Sequence, residues 1–218
     1  MSASHHELRA AELSARDAYR LMTDLVAPRP IAWVSTVNGQ GQANLAPFSY
    51  YQGVCSSPPT LVLGLGSRPD GRPKDTLANV LETGELTINH VSERLADAMN
   101  RSSASYPPET SEWEACGVES SPAQTVRAPR VAGAHGGFEC RLTHAIPIGQ
   151  TKHGGPSSTL VIVEVVHAWL AEGLLERDER GHMRPIDPRA LAAVGRLGGN
   201  AYTTTAGQFE LLRPKLDK

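Results

Sequence analysis

The chain has 218 residues, with 21 Lys plus Arg against 23 Asp plus Glu. That is long enough to bury a core without disulfides or structural metal, and it carries no cationic surplus that would recommend a nucleic acid or an anionic membrane as partner. Its cysteines, Cys55, Cys116 and Cys140, are odd in number and form no C-x-x-C pair, which argues against a disulfide framework and a zinc site and for reduced thiols in the cytoplasm. No apolar run approaches the roughly 18 residues of a spanning helix and the polar start has no signal-peptide core, so neither membrane insertion nor secretion is expected.

Residues 1–13, with His5 and His6, read as a solvated flexible tail, and 14–213 as the folded domain. Ser14-Ala-Arg-Asp17 has the residue types of a helix start, and Tyr19, Leu21, Met22, Leu25 and Val26 follow at helical spacing, with an end before Pro28. Ile31 to Val37 is a β-branched and aromatic strand; Asn38-Gly39-Gln40-Gly41 supplies a hairpin turn, and Asn44 to Ser49 the return strand. Thr60 to Leu65 has the length of a buried strand. Asp75 to Gly84 opens with capping types and closes with a C′ glycine, predicting a short helix that feeds the strand Leu86 to His90. Ser92 begins another helix, and Ser111-Glu-Trp-Glu114 has the pattern of a capping box.

Pro107 to Gly137, rich in Pro, Ser, Ala and Gly, reads as a long surface excursion or a lid. Phe138 to Ile148 and Thr159 to Leu170 are further strands around the glycine-rich loop 149–158, and Asp187-Pro188 starts a last short helix. Strands and helices do not alternate as βαβ units do. The expected fold is therefore mostly β with peripheral helices, a largely antiparallel barrel.

Neither a G-x-G-x-x-G after a strand nor a Walker motif, a G-x-S-x-G elbow or an H-E-x-x-H helix occurs. Two clusters carry the chemistry. Ser67-Arg68 to Lys74-Asp75-Thr76 is a cationic loop running into a helix start, where unpaired N–H groups, the positive dipole end and the side-chain donors suit a phosphate monoester. The same composition also fits a solvated basic loop. Pro28-Arg29-Pro30-Ile31 with Asn44-Leu-Ala46-Pro47-Phe-Ser49 frees main-chain groups beside small residues, which suits the pyrimidine end of a flavin and equally a proline-protected edge strand.

Arg29-Pro-Ile-Ala-Trp-Val-Ser-Thr36, Asn44-Leu-Ala-Pro-Phe-Ser49, Lys74-Asp-Thr76, Glu85-Leu-Thr-Ile-Asn89 and Gly195-Arg-Leu-Gly-Gly199 ending at Tyr202 resemble, in order and spacing, the flavin reductase-like family of FMN-binding split-barrel proteins, flavoredoxin-like members included. The resemblance spans roughly residues 18–213. It implies a split β-barrel that works as a homodimer with FMN near the subunit interface. Asn44, Ala46, Pro47 and Ser49 would line the isoalloxazine, with Arg29 beside them, and Ser67, Arg68, Lys74, Asp75 and Thr76 would surround the phosphate. Trp33 and Asn89 match positions near the cofactor, and Arg196 and Tyr202 face either the flavin or the dimer contact.

The activity implied is hydride transfer from NADH or NADPH to FMN, with a monooxygenase, a ferric complex or another acceptor downstream. No side-chain acid or base is nominated as catalytic, because the cofactor carries the hard chemistry. Two alternatives stay open: a flavoredoxin-like electron carrier reduced by a protein partner, and a split-barrel relative holding haem or pyridoxal phosphate. His135, His144 and His153 read as surface or structural histidines, and Cys55 as an inert thiol.

Overall fold

The computed structural model describes residues 4–107 and 110–214. The first three residues of the expected tail and positions 108–109 of the expected excursion lie outside them. Helix α1 spans Ala15–Leu25, and Ser14 caps it as expected, its hydroxyl accepting the Asp17 N–H at 3.1 Å. Then follow β1 (Arg29–Pro30), β2 (Ala32–Val37), β3 (Ala43–Phe48), β4 (Tyr51–Ser56) and β5 (Pro59–Gly66). Helix α2 (Asp75–Thr83) leads into β6 (Glu85–Asn89), and a 3-10 turn at Glu93–Leu95 leads into α3 (Ala96–Arg101). The rest comprises α4 (Glu112–Ala115), β7 (Ser120–Ser121), β8 (Arg130–Val131), β9 (Gly136–Ile148), β10 (Ser158–Leu170), α5 (Pro188–Leu191), β11 (Val194–Arg196) and β12 (Tyr202–Thr204).

Seven strands form one antiparallel sheet in the order β3-β2-β6-β9-β10-β5-β4. Its two edges, β3 and β4, are consecutive in the chain, so the sheet is a barrel left open along one seam. β1, β11 and β12 make a small second sheet, with Arg29 opposite Arg196 and Pro30 opposite Gly195.

The alternation of a strand's side chains divides the interior into two cores. From one segment, Ala32 and Val34 enter a cluster with Leu63, Leu77, Val80, Leu86, Ile88 and Val163, whereas Ile31 and Trp33 enter another with Leu45, Met99, Trp113 and Val131. β2 is thus buried on both faces. Helix α2 covers the first cluster through Leu77 and Val80, each worth about 1.5 to 3 kcal/mol when fully buried. It ends at Gly84, whose φ of 69° is the left-handed conformation that glycine adopts without a Cβ clash.

Three local readings change. β4 was not expected, because Tyr51-Gln-Gly-Val-Cys-Ser56 shows no alternation; its pairing with β5 alone defines it. Residues 111–137 are not a loose excursion: they carry α4 and the β7–β8 pair, and Trp113, Val131 and Ala134 are buried in the second core. No side chain caps α4 at Ser111, so the capping box is not made. What holds this flap is Glu139 of β9, fully buried, which accepts the N–H groups of Gln124 and Thr125, the Thr125 hydroxyl and the Arg130 guanidinium. Arg130 in turn stacks 4.4 Å from the Trp169 ring centre. Burial works against the charge on Glu139, but the Thr125, Gln124 and Arg130 donors outweigh it and hold its pKa down to about 2.

Among the described residues no helix is long and apolar enough to cross a membrane, and no group of His, Cys, Asp and Glu is arranged to hold a metal.

Candidate functional site

The two segments singled out by composition meet at the open edge of the sheet. β3 pairs only with β2, so the outer side of its backbone has no strand beside it, and Pro47, which has no N–H to offer a ladder, is tolerated there. The start of α2 comes up against this edge. Asn44 Nδ2 donates to Thr76 Oγ1 at 2.9 Å, and the Lys74 ammonium lies 5.3 Å from the centre of the Phe48 ring.

Lys74 itself occupies the N-cap position, in place of the Asp that composition favours, and no side chain caps the helix. The N–H groups of its first turn therefore stay available to an anion, with the dipole's positive end behind them. Desolvation, and then the neighbouring Arg68 cation, hold the Lys74 pKa below the ordinary lysine value. An arriving phosphate would relieve that repulsion. Arg68 Nη2 meets Asp75 Oδ2 at 2.5 Å in a partly exposed pair, and Ser67 Oγ donates to the Pro156 carbonyl at 2.6 Å, tying the loop to the turn between β9 and β10. A carboxylate repels phosphate, so Asp75 can serve one only through its backbone N–H.

The remaining nominated residues separate by burial. Ala46 packs half-buried against the first core, and Pro47 and Ser49 line a small pocket of about 170 Å³ together with Tyr19, Arg196 and Tyr202. Arg29 is buried, and its guanidinium is committed to protein: Nη1 donates to the carbonyls of Thr23 (2.5 Å) and Val26 (2.9 Å), Nη2 to that of Leu197 (3.0 Å), with Ser49 Oγ 3.4 Å from Nε. It closes the end of α1 and fixes the strand edge. Trp33 and Asn89 are wholly buried, Trp33 Nε1 donating to Ser102 Oγ at 2.9 Å, and Asn89 donating to the Trp33 carbonyl and accepting the Val131 N–H. Neither side chain has surface to give a ligand; both brace the sheet behind the edge.

Asn44 and Asp75 also line a larger concavity of about 960 Å³, together with Asn79, Tyr106 and Glu112, the last of which sequence reasoning did not nominate. Glu112 Oε2 lies 3.5 Å from the Leu45 N–H, and desolvation raises its pKa. Only its position opposite a strand far away in sequence gives it that environment. His135 stacks on His90 at 6.3 Å between ring centres and contacts the Leu191 carbonyl at 3.1 Å, while His144 and His153 are exposed. Burial, then His135, lowers the pKa of His90 to about 4. Cys55 is exposed on β4, while Cys116 and Cys140 are buried, and all three thiols are free.

An open antiparallel barrel with an uncapped cationic helix start beside its β3 edge has the architecture of a split-barrel protein. Residues 25–187 match the model of the flavin reductase like domain, and the chain belongs to that family. It is 39% identical over 212 residues to an uncharacterized protein of Halalkalibacterium halodurans, covering 97% of this chain and 98% of that one. Among solved structures it is similar to nitrilotriacetate monooxygenase component B from Bacillus cereus, with 33% identity, a TM-score of 0.87 and coverage of 96% of this chain and 100% of that one. It is also similar to the 2-nitrobenzoate 2-nitroreductase NbaA of Pseudomonas fluorescens, with 30% identity, a TM-score of 0.81 and coverage of 96% of each chain.

Proposed function

We propose that the chain is an NAD(P)H-dependent flavin reductase that holds FMN between the open edge of β3 and the start of α2. The observation that carries this reading is the Asn44–Thr76 bond, which joins a flat, proline-bearing strand edge to a cationic, uncapped helix start. The first-turn N–H groups of α2, with Lys74 and Arg68, would hold the phosphate, and the main chain of residues 44–49 would face the ring. Bound FMN supplies the capacity to accept hydride from a reduced nicotinamide and pass electrons on. The protein's part is to anchor and orient: Arg29 locks Ser49 and the end of α1, and Asn44 fixes the distance between ring edge and phosphate loop.

A homodimer completes this reading. α1 exposes Tyr19, Met22, Leu25 and Val26, an apolar stripe that its amphipathic spacing builds but that the chain's own core does not cover, and Val54 of β4 is exposed as well. Tyr19 lies at the wall of the small pocket beside Pro47 and Ser49, so a partner packed on α1 would border the site. Free thiols fit a cytoplasmic setting. A monooxygenase partner is the acceptor class favoured by the similarity to a monooxygenase component. Sedimentation velocity should give a dimer, and Leu25→Asp a monomer; a monomeric parent protein would remove this part of the proposal.

The decisive test is anaerobic stopped-flow absorbance of the FMN-loaded protein mixed with NADH and, separately, with NADPH. Rapid loss of the oxidised flavin band with either donor is expected and names that donor. A yellow protein that neither donor reduces would instead make the chain an electron carrier fed by a protein, and a colourless one that takes no FMN would end both readings.

A further inference from the structure

Past β12 the chain runs out as an arm. Thr205 is its last fastening: the N–H donates to the Ala193 carbonyl and the hydroxyl, at 2.9 Å, to that of Pro188. Residues 206–214 form no helix or strand and are exposed throughout, and among the described residues they make no hydrogen bond or ion pair. Yet Phe209, Leu211 and Leu212 crowd into this arm, 84%, 84% and 92% exposed. A tail that only has to stay dissolved is polar and poor in aromatics, so three large apolar side chains within four positions mark a segment made for contact.

Helix α1 offers the matching surface. Thr23 is its only buried residue, and Tyr19, Met22 and Leu25, with Val26 at the C-cap, stand on one face in solvent. The arm does not cover this stripe within its own chain, and the hairpin it leaves from shows why. The turn between β11 and β12 rests on α1, where Gly198 packs so closely on the Asp24 carboxylate that a Cβ would clash with it and Arg29 holds the Leu197 carbonyl. β12 then runs back along β11, from Tyr202 opposite Arg196 to Thr204 opposite Val194, so the arm departs beside α5, at the end of the hairpin farthest from that contact. Extended, residues 206–214 span about 30 Å, enough to reach a neighbouring molecule. A second copy is the partner that leaves nothing uncovered: in a two-fold pair each chain gives one arm and receives one, whereas a different protein seated on the stripe would leave the arm bare.

We propose that the arm of each copy crosses to a second copy and lays Phe209, Leu211 and Leu212 on its α1 stripe. This rests on the homodimer reading above and adds what holds the pair together. Because Tyr19 of α1 also walls the small pocket beside Pro47 and Ser49, the visiting arm borders that pocket, and each site takes one of its boundaries from the other chain.

The test combines sedimentation velocity of the full chain and of a chain ending at Thr205 with a mixed cross-link. Removing the arm should raise the dimer dissociation constant by roughly a hundredfold or more, and Phe209→Ser, which leaves the backbone intact, should raise it in the same direction. For the cross-link, Leu25→Cys and Phe209→Cys are made in separate chains, each with the exposed Cys55 changed to Ser, then mixed and treated with a short bismaleimide. A covalent pair of one chain of each kind is expected. A full-length dimer that is as tight without its arm, or a link that forms only within a chain carrying both cysteines, would overturn the exchange and leave the dimer standing. A full-length chain that is monomeric would overturn the exchange and the dimer together.

Discussion

Two arginine–carboxylate pairs in this molecule use the same chemistry for opposite ends. Arg130–Glu139 is withdrawn from water, its side chains 14% and 0% exposed, and the Gln124 and Thr125 donors of the flap converge on the same carboxylate. Arg68–Asp75 is open, 35% and 60% exposed, and its neighbour Lys74 is a cation. The first pair is a fastening that cannot be exchanged, since removing either partner strands a buried charge. The second is a provisional neutralisation, cheap to break when a stronger anion arrives.

The largest effect should come from the closed pair. Glu139→Gln is expected to cost about 3 to 5 kcal/mol in chemical denaturation, the range for breaking a buried ion pair, and to loosen residues 120–131 in hydrogen exchange. A loss below about 1 kcal/mol would mean the flap is held by Trp113 and Val131 instead.

Next is the open pair's neighbour. Lys74→Ala should weaken FMN by about 1.5 to 3 kcal/mol while leaving riboflavin nearly unaffected, because only the former carries the phosphate that a charge-assisted bond would hold. Equal losses for the two ligands in fluorescence titration would make the loop merely structural.

The pH profile of stability should separate the buried groups. His90 is neutral in the fold down to about pH 4 but takes up a proton near 6.5 when unfolded, so stability falls as pH drops through that interval. Glu139, ionised in the fold down to about 2, adds a further loss between the ordinary glutamate range and that value. Denaturation at stepped pH should show His90→Phe flattening the upper interval and Glu139→Gln the lower; a parent protein of constant stability from pH 7 to 4 would contradict the first assignment.

The smallest effect belongs to Asp75→Asn. It should change stability by less than about 1 kcal/mol and tighten FMN by about 0.5 kcal/mol, since it removes a competitor for Arg68. Calorimetry showing weaker FMN would mean that Asp75 aims the guanidinium rather than occupying it.

How much of this was legible beforehand follows the range of the interaction. Ser14 and Gly84 act within a turn of their own helix, and both ends were readable from residue type. The cationic loop and the proline edge were also readable as composition, though not their meeting through Asn44 and Thr76. Arg29, Trp33 and Asn89 were expected beside the cofactor from their motifs, and their side chains turn into the protein, a direction set by strand register rather than by residue type. β4 and the buried role of Glu139 depend wholly on distant partners, so no local pattern announced them. The amphipathic spacing of α1 was real, yet its apolar face looks outward.

The pairing of β1 with β11 also sets a timetable. Arg29 meets Arg196 across the ladder and donates to the Leu197 carbonyl, so the small sheet is made from segments that a ribosome would deliver far apart. At about 5 to 20 residues per second, the early strand would wait on the order of 10 to 30 seconds for its partner. Until then α1 and the β3 edge are synthesised but unlatched, and a nascent chain would complete the cationic loop at residues 67–76 well before the small pocket that Arg196 and Tyr202 line.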